Sequence, residues 1–440
     1  MSNVSKINMS RRTLFGLGAG IAATATMSAC SGASTTGAGA GDAVFFSTQF
    51  APVEEKQRFE KILATHVTDP KTSFTSMPTA DFTTQLKSQV DAKKLSISAV
   101  GALHGDLTPL GDYLEDVDEL VSDAKSAGIS DELLELGKLG GSTQKYIPWM
   151  QASYVICANK KALQWLPAGA DVNAITYDQY LQWAVNAKKA NGKAVFGFPA
   201  GPKGLYHRFL QGYLLPSFTG GTMSKFTSPE ALKAWEWMAE FWKNCNPAST
   251  NYDYMQEPLS RGEVLVSWDH VARLADAPKE KPEDWVMVPS PIGPKGLGYL
   301  LIVAGMGVPK GGDKGIAGKI IQGLSTPEAQ IELLKQNSFF PVVKATLPSD
   351  LAAPAKMAAD AIAKQAASPK AVLALPPLGL GDKDGEMSQV FKDLFREICL
   401  QNVAPATAVK KYAAKAQGIL DAVKVPCWAP DPDQNPCQIG

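Results

Sequence analysis

Met9 to Cys30 constrains this chain more than any other stretch, because it decides where the chain has to work. It opens on Ser10-Arg11-Arg12-Thr13-Leu14-Phe15, continues as an apolar run rich in Ala and Gly, and closes on Met27-Ser28-Ala29-Cys30. A positive patch, a short apolar segment and small residues before a cut site make an export signal. The run falls short of the roughly 20 apolar residues that span a bilayer, so it reads as a processed leader and not as a transmembrane helix. No later stretch is long and apolar enough to be read as a span.

Paired arginines after a serine, followed by Leu14-Phe15, resemble the twin-arginine signal that exports folded proteins. Cys30 after Ser28-Ala29 resembles the lipobox, whose thiol receives a diacylglycerol and becomes the mature N-terminus. Residues 1–29 are then the leader, and 30–41 a flexible tether, which after Cys30 holds only Ser, Gly, Ala and Thr. The expectation is a lipid-anchored protein on the extracytoplasmic face of a bacterial cell membrane.

Five cysteines remain after Cys30: Cys157, Cys245, Cys399, Cys427 and Cys437. An odd number leaves at least one free or paired between chains. Cys427 and Cys437 bracket a Pro-rich terminal hook too poor in apolar residues to hold itself down, and a disulfide between them suits an oxidising compartment. Two unpaired surface thiols are the alternative. The pairing of the other three stays open.

Basic and acidic residues number 43 each, and 1–29 contribute Lys6, Arg11, Arg12 and no acid, which leaves 40 against 43. A near-neutral chain lacks the basic footprint of a nucleic-acid binder. The four histidines are widely separated, and no Cys-x-x-Cys or His-x-x-x-His spacing occurs, so neither metal nor cofactor is expected. No Gly-x-Ser-x-Gly, His-Glu-x-x-His or phosphate loop is visible, although two carboxylates across a cleft, as in a secreted glycosidase, would escape a search by motif.

Strand and helix patterns alternate. Ala43–Phe46 reads as a strand, Val53–His66 as a helix, Asp81–Lys93 as a helix and Leu95–Val100 as a strand. Thr176 with Gln179 makes a capping box, Val195–Phe198 is a strand, and Ser228-Pro229 starts a helix whose Trp235 and Trp242 belong to a core stripe. Gly262–Trp268, Trp285–Pro289 and Leu300–Val308 read as further strands, and Leu351–Val423 as mostly helical. Such alternation predicts α/β architecture with parallel strands, whose ligands bind outside the strands' carboxyl ends. The loops Ser47–Phe50 and Gly101–Asp106 are then candidate site walls.

Several fragments carry a resemblance. They are Leu110-Gly111-Asp112-Tyr113-Leu114, Tyr146-Ile147-Pro148 with Asn159-Lys160 after it, Gly262–Trp268, Trp285–Pro294, Gly305–Gly311, Ser325–Gln330 and Phe340-Pro341-Val342. In this order they resemble the extracellular solute-binding proteins of carbohydrate ABC transporters, the maltose-binding-protein-like family. Two departures stand near cleft segments: Ser96-Ile97-Ser98 replaces the family's Pro-Asp, and Ala158 replaces a Tyr.

The resemblance implies a two-lobe α/β fold with a hinge and a ligand cleft. One lobe would hold 42–151 and 302–341, the other 152–301 and 342–424, with 425–440 as a tail and crossings near Met150–Ser153, Tyr299–Ile302 and Pro341–Ala345. It also implies a monomer that captures a carbohydrate and delivers it, unaltered, to the permease subunits of an ABC importer. A sugar offers an apolar C–H face and a rim of hydroxyls, which aromatic rings and polar side chains match. Trp268, in the family's Trp position, is the first candidate contact, with Trp149 and with Tyr299 beside Gly298. The polar candidates are Asp269, Gln49, Thr48, Asp106, Gln151, His104 and Arg208. Arg208 with His207 and His270 also admits an anionic solute, such as a glycerophosphodiester, sugar phosphate or sugar acid; an amino-sugar-type solute is a further alternative.

Overall fold

A computed structural model describes residues 43–51 and 53–440. The export stretch, Cys30 and the tether read at 30–41 lie outside the described residues. Twelve strands occur among the described residues: β1 (Ala43–Ser47), β2 (Thr72–Ser76), β3 (Ala99–Leu103), β4 (Tyr146–Ala152), β5 (Tyr154–Asn159), β6 (Phe196–Gly197), β7 (Val266–His270), β8 (Trp285–Val288), β9 (Leu297–Leu300), β10 (Ile302–Gly307), β11 (Phe340–Pro341) and β12 (Ala371–Ala374). They form a six-stranded sheet in the order β11-β4-β10-β3-β1-β2, a four-stranded sheet β6-β7-β5-β8, and the pair β12-β9.

In the six-stranded sheet β1 runs parallel to β2 and to β3. Parallel neighbours need a crossover, and the helices Val53–His66 and Thr79–Asp91 supply it. Phe59, Ile62 and Leu63 of the first helix turn inward at the expected helical spacing. Trp149 from β4 closes this core and is fully buried, with Phe45 at 5.2 Å and Phe59 at 5.3 Å between ring centroids. Gly305 of β10 lies flat against Tyr146, where a Cβ would come within 2.1 Å of the ring.

The four-stranded sheet carries a second aromatic core. Trp268 of β7 stacks on Tyr154 of β5 at 4.8 Å and 8°, with Phe209 at 5.0 Å and Tyr213 at 5.2 Å edge-on. The capping box at Thr176 forms and starts the helix Tyr177–Asn191. Ser228 caps Pro229–Trp242, which buries Trp235, Trp237 and Met238.

The chain passes between the sheets at three places that lie side by side. Ser153 alone separates β4 from β5, Leu301 alone separates β9 from β10, and the third passage follows β11. Ser153 is buried, and its hydroxyl donates to the Leu300 carbonyl at 2.9 Å. The Gln151 amide donates to the Pro341 carbonyl at 2.8 Å.

Local spans differ from expectation, the helix read at Asp81–Lys93 running Thr79–Asp91 and the strand read at Leu300–Val308 running Ile302–Gly307. The strand expected at Leu95–Val100 starts at Ala99, because Ser96 is drawn off by the Gln89 side chain and Ser98 accepts the Val44 N–H. The strand expected at Gly262–Trp268 starts at Val266, because Gly262 has φ +68° and closes the turn after Gln256–Ser260. Tyr206, His207 and Arg208 stand in a short helix, Tyr206–Phe209.

Cys427 and Cys437 are joined as a disulfide, while Cys157, Cys245 and Cys399 are free and buried. No helix among the described residues is long and apolar enough to cross a membrane. Replacing Gly305 by Ala should press a methyl into the Tyr146 ring and cost about 1–3 kcal/mol, measurable as a lower urea midpoint at unchanged slope.

Candidate functional site

The carboxyl ends of β1 and β3 carry loops that meet, the Thr48 hydroxyl donating to Asp106, and the helix Tyr206–Phe209 brings Arg208 to the same place. A cavity of about 660 Å³ lies there, within the range of small-molecule sites. One wall comes from the end of β3, with His104, Gly105 and Asp106, and from the helix Thr79–Asp91, with Thr79, Thr83, Thr84 and Lys87. Those four helical positions share one face. The opposite wall is Arg208 together with Pro376, Pro377, Leu380 and Asp384, and the floor is Ile302 and Val303 at the start of β10.

Asp106 is the most elaborately held polar group. Its carboxylate accepts from the Thr48 hydroxyl at 3.1 Å and from Thr79. Burial pushes its pKa above the ordinary value, the negative charge of Asp384 opposite adds to this, and the threonine hydrogen bonds oppose it. The Gln49 side chain donates to the Thr48 hydroxyl oxygen at 2.9 Å and so fixes the residue that fixes Asp106. His104 is buried, 2.8 Å from the Tyr146 hydroxyl through Nδ1, and burial pushes its pKa down to about 4. It is therefore a neutral hydrogen-bonding group at neutral pH.

Arg208 lies 3.9 Å through Nη2 from Asp384, while its Nη1 is buried and has no hydrogen-bond partner in the protein. A guanidinium donor left unpaired in a buried site favours a ligand acceptor at that point. The histidines that were expected to assist it carry no charge there. Burial drives the pKa of His207 and of His270 well below the ordinary value, with neighbouring arginines acting in the same direction.

The aromatic candidates are placed elsewhere. Trp268 is 1% exposed and Trp149 0%, each inside its own core, so neither presents a ring face to the cavity. Both indole N–H groups are buried without partners. Asp269 is also fully buried: its carboxylate accepts the backbone N–H groups of Met255 at 3.0 Å and His270 at 2.7 Å and faces Arg273 at 3.9 Å. Burial raises its pKa to about 6. It clamps two loops together and is not among the residues lining this cavity. Gly298 donates its N–H to Ser217 Oγ, and a Cβ there would stand 2.7 Å from the Tyr213 carbonyl oxygen, so its smallness serves packing. Tyr299, half-buried in β9, pairs with Leu373 of β12. Gln151 is committed to the passage between the sheets.

Of the expected contacts, His104, Asp106 and Arg208 come together in the cavity, and Thr48 and Gln49 stand directly behind Asp106. Sequence reasoning missed Thr79, Thr83, Thr84, Lys87, Asp384 and the Pro376-Pro377 wall. Thr83, Thr84 and Lys87 lay on one polar face of the expected helix Asp81–Lys93, but a polar face ordinarily meets solvent, and Thr79 fell before that helix's expected start. Among the described residues no group of three or more His, Cys, Asp or Glu side chains could hold a metal ion.

The neutral state of His104 has a thermodynamic sign. Between about pH 6.5, the ordinary imidazole value, and about pH 4, the unfolded chain binds a proton that the folded site refuses, so this group makes stability fall as pH drops through that window. Removing it in His104→Gln should shift the stability difference in the variant's favour between pH 7 and pH 4, by on the order of 3 kcal/mol at most. Urea unfolding of both proteins across that range measures it.

Solved structures share this architecture. Maltose-bound MalE3 of T. maritima superposes with a TM-score of 0.66 at 18% identity, over 86% of this chain and 99% of that one. The sugar-binding protein MalE of Xanthomonas citri gives 0.69 at 15%, over 87% and 98%. UgpB of Mycobacterium tuberculosis, in complex with glycerophosphocholine, gives 0.65 at 16%, over 87% and 100%. At these identities the likeness establishes the two-lobe α/β fold. A search of curated protein sequences returns no match. The family model for bacterial extracellular solute-binding proteins matches residues 57–364, and the chain belongs to that family.

Proposed function

We propose that the protein is the receptor of an ABC importer, which captures a carbohydrate between its lobes and hands it unaltered to membrane permease subunits. The observation that carries this reading is the composition of the cavity. Asp106, Thr79 and Thr83 from one side and Arg208 and Asp384 from the other offer acceptors and donors to a ring of hydroxyls, and Pro109, Pro376, Pro377, Ile302 and Leu380 offer apolar surface to its C–H groups. In this reading aliphatic and proline surfaces take the part expected of aromatic rings.

The lobes of the proposal are 42–151 with 302–341 and 152–301 with 342–424. A solute that touches both walls stabilises the closed arrangement by the difference in its affinity for the two states. The export signal and Cys30 support attachment by a lipid to the outer face of the cell membrane, with the protein acting as a monomer and without a cofactor. A binding role, and not catalysis, is the reading that fits the family.

One observation favours a second solute class. The buried, unpartnered Nη1 of Arg208, with Lys87 across the cavity, suits a solute carrying a phosphate or carboxylate. The fold neighbour holding glycerophosphocholine gives a concrete member of that class to try.

Thermal-shift measurements with mono- and oligosaccharides, amino sugars, sugar phosphates and glycerophosphodiesters should raise Tm for the true solute. A Tm rise with a neutral sugar favours the first class, whereas a rise confined to phosphate- or carboxylate-bearing solutes and lost in Arg208→Gln favours the second. Asp106→Asn should weaken the solute found by about tenfold or more in calorimetry, the cost of one charged hydrogen-bonding group. Cys30→Ala should move the protein from the membrane fraction to the medium, read by fractionation.

A further inference from the structure

The terminal hook, residues 425–440, has a role that the family match does not cover, since that match ends at residue 364. The cavity wall Pro376–Asp384 also lies beyond it. The two are bound to each other. Leu375, directly before the wall, donates its N–H to the carbonyl of Ala429 inside the disulfide loop at 3.0 Å. Gly379 has φ +69° and lies so close to the hook that a Cβ would meet Val425 at 2.8 Å. On its other side the wall touches the opposite sheet's loops. A Cβ on Gly105 would stand 3.0 Å from the Pro377 carbonyl oxygen, and one on Gly379 would stand 3.8 Å from Thr108.

The hook is itself held at its far side. The Asp431 carboxylate, 8% exposed, accepts the backbone N–H groups of Thr222, Met223 and Ser224 at 2.8 to 3.0 Å, and the Ser224 hydroxyl at 2.6 Å. Gly440 donates to the Met223 carbonyl, and its own carbonyl accepts from Thr227. Trp428 is buried in the same core as Leu380 of the cavity wall. The disulfide shortens the free length between these fixed points, which limits the conformations an otherwise loop-like segment can reach.

We infer that the disulfide-closed hook is a positioning element of the binding cleft: it sets the height of the Pro376–Leu380 wall and thereby the width of the slot that a solute enters. This rests on the cavity being the solute site, but the wall's dependence on the hook is independent of which solute binds. The consequence is local. Loosening the hook frees the wall, while the six-stranded sheet across the cleft keeps its own core.

Hydrogen exchange on the ligand-free, full-length mature protein tests the inference. In Cys427→Ser with Cys437→Ser, and separately in Asp431→Asn, amides of 375–381 should exchange roughly tenfold faster, with those of β1, β3 and β4 unchanged. Should the double variant fail to fold, Asp431→Asn decides alone. Unchanged exchange at 375–381, or an equal acceleration throughout the protein, overturns the inference, since the hook would then be idle or merely stabilising. Maltose and glycerophosphocholine serve as probes in calorimetry. A probe that binds the wild type should lose about tenfold in affinity in Asp431→Asn at a temperature where both proteins are folded, and equal affinity counts against the inference. If neither probe binds, the solute reading suffers and the exchange result still judges the hook.

Discussion

The arrangement depends on three chain passages being packed against one another. Ser153 and Leu301 are single residues between strands of different sheets, and the passage after Pro341 runs alongside them. Such short links leave no room for slack, and their buried polar groups find partners in each other: Ser153 in Leu300, Gln151 in Pro341. Burying these groups unpaired would cost on the order of 1–3 kcal/mol each, so the passages hold their register as a set. Because β10 begins immediately after Leu301, Ile302 and Val303 arrive at the cavity floor by the same constraint. The point at which the sheets are joined and the point at which a solute would sit are thus neighbours by construction.

Large rings and small polar groups divide the labour between core and cleft. Trp149 and Trp268 fill the two cores, where each fully buried ring removes extensive apolar surface from water and gains edge-on and stacked neighbours. The cleft keeps threonines, carboxylates, a guanidinium and prolines. Charge there is roughly balanced between Asp106 and Asp384 on one hand and Arg208 and Lys87 on the other. Orientation of hydrogen bonds therefore outweighs net field in what the cleft can select. The neutral His104 belongs to the same scheme, since its burial against Tyr146 removes a charge that would otherwise face Asp106.

The C-terminal part shows how a segment poor in apolar residues becomes structural. Residues 425–440 form no sheet or helix of their own, yet the Asp431 carboxylate closes on three successive amide groups and a disulfide closes the loop above it. Charged hydrogen bonds to otherwise unpaired backbone donors substitute for the burial the segment cannot supply. The segment meets the cavity wall through the Leu375 N–H on the Ala429 carbonyl, through Val425 against Gly379, and through the core that Trp428 shares with Leu380.

Local signals in the chain determined a great deal. Alternating strand and helix periodicity, the Thr176–Gln179 capping box and the Ser228-Pro229 start are written in nearest-neighbour chemistry, and the helices stand where that chemistry puts them. The loop after β3 was legible as a wall of the cavity, because strand direction in a parallel sheet puts His104 and Asp106 beyond its carboxyl end, while Thr48 in the loop after β1 stands behind Asp106. Tertiary structure alone decided which polar helix face meets the cleft instead of solvent, and that Trp268, Asp269 and Trp149 serve the cores. It also brought Pro376–Asp384 across from Gly105, more than 250 residues away in sequence. The physical reason is that helical and strand periods reveal a face but not its partner. What a face is pressed against depends on contacts between segments far apart in the chain, and no local pattern encodes those.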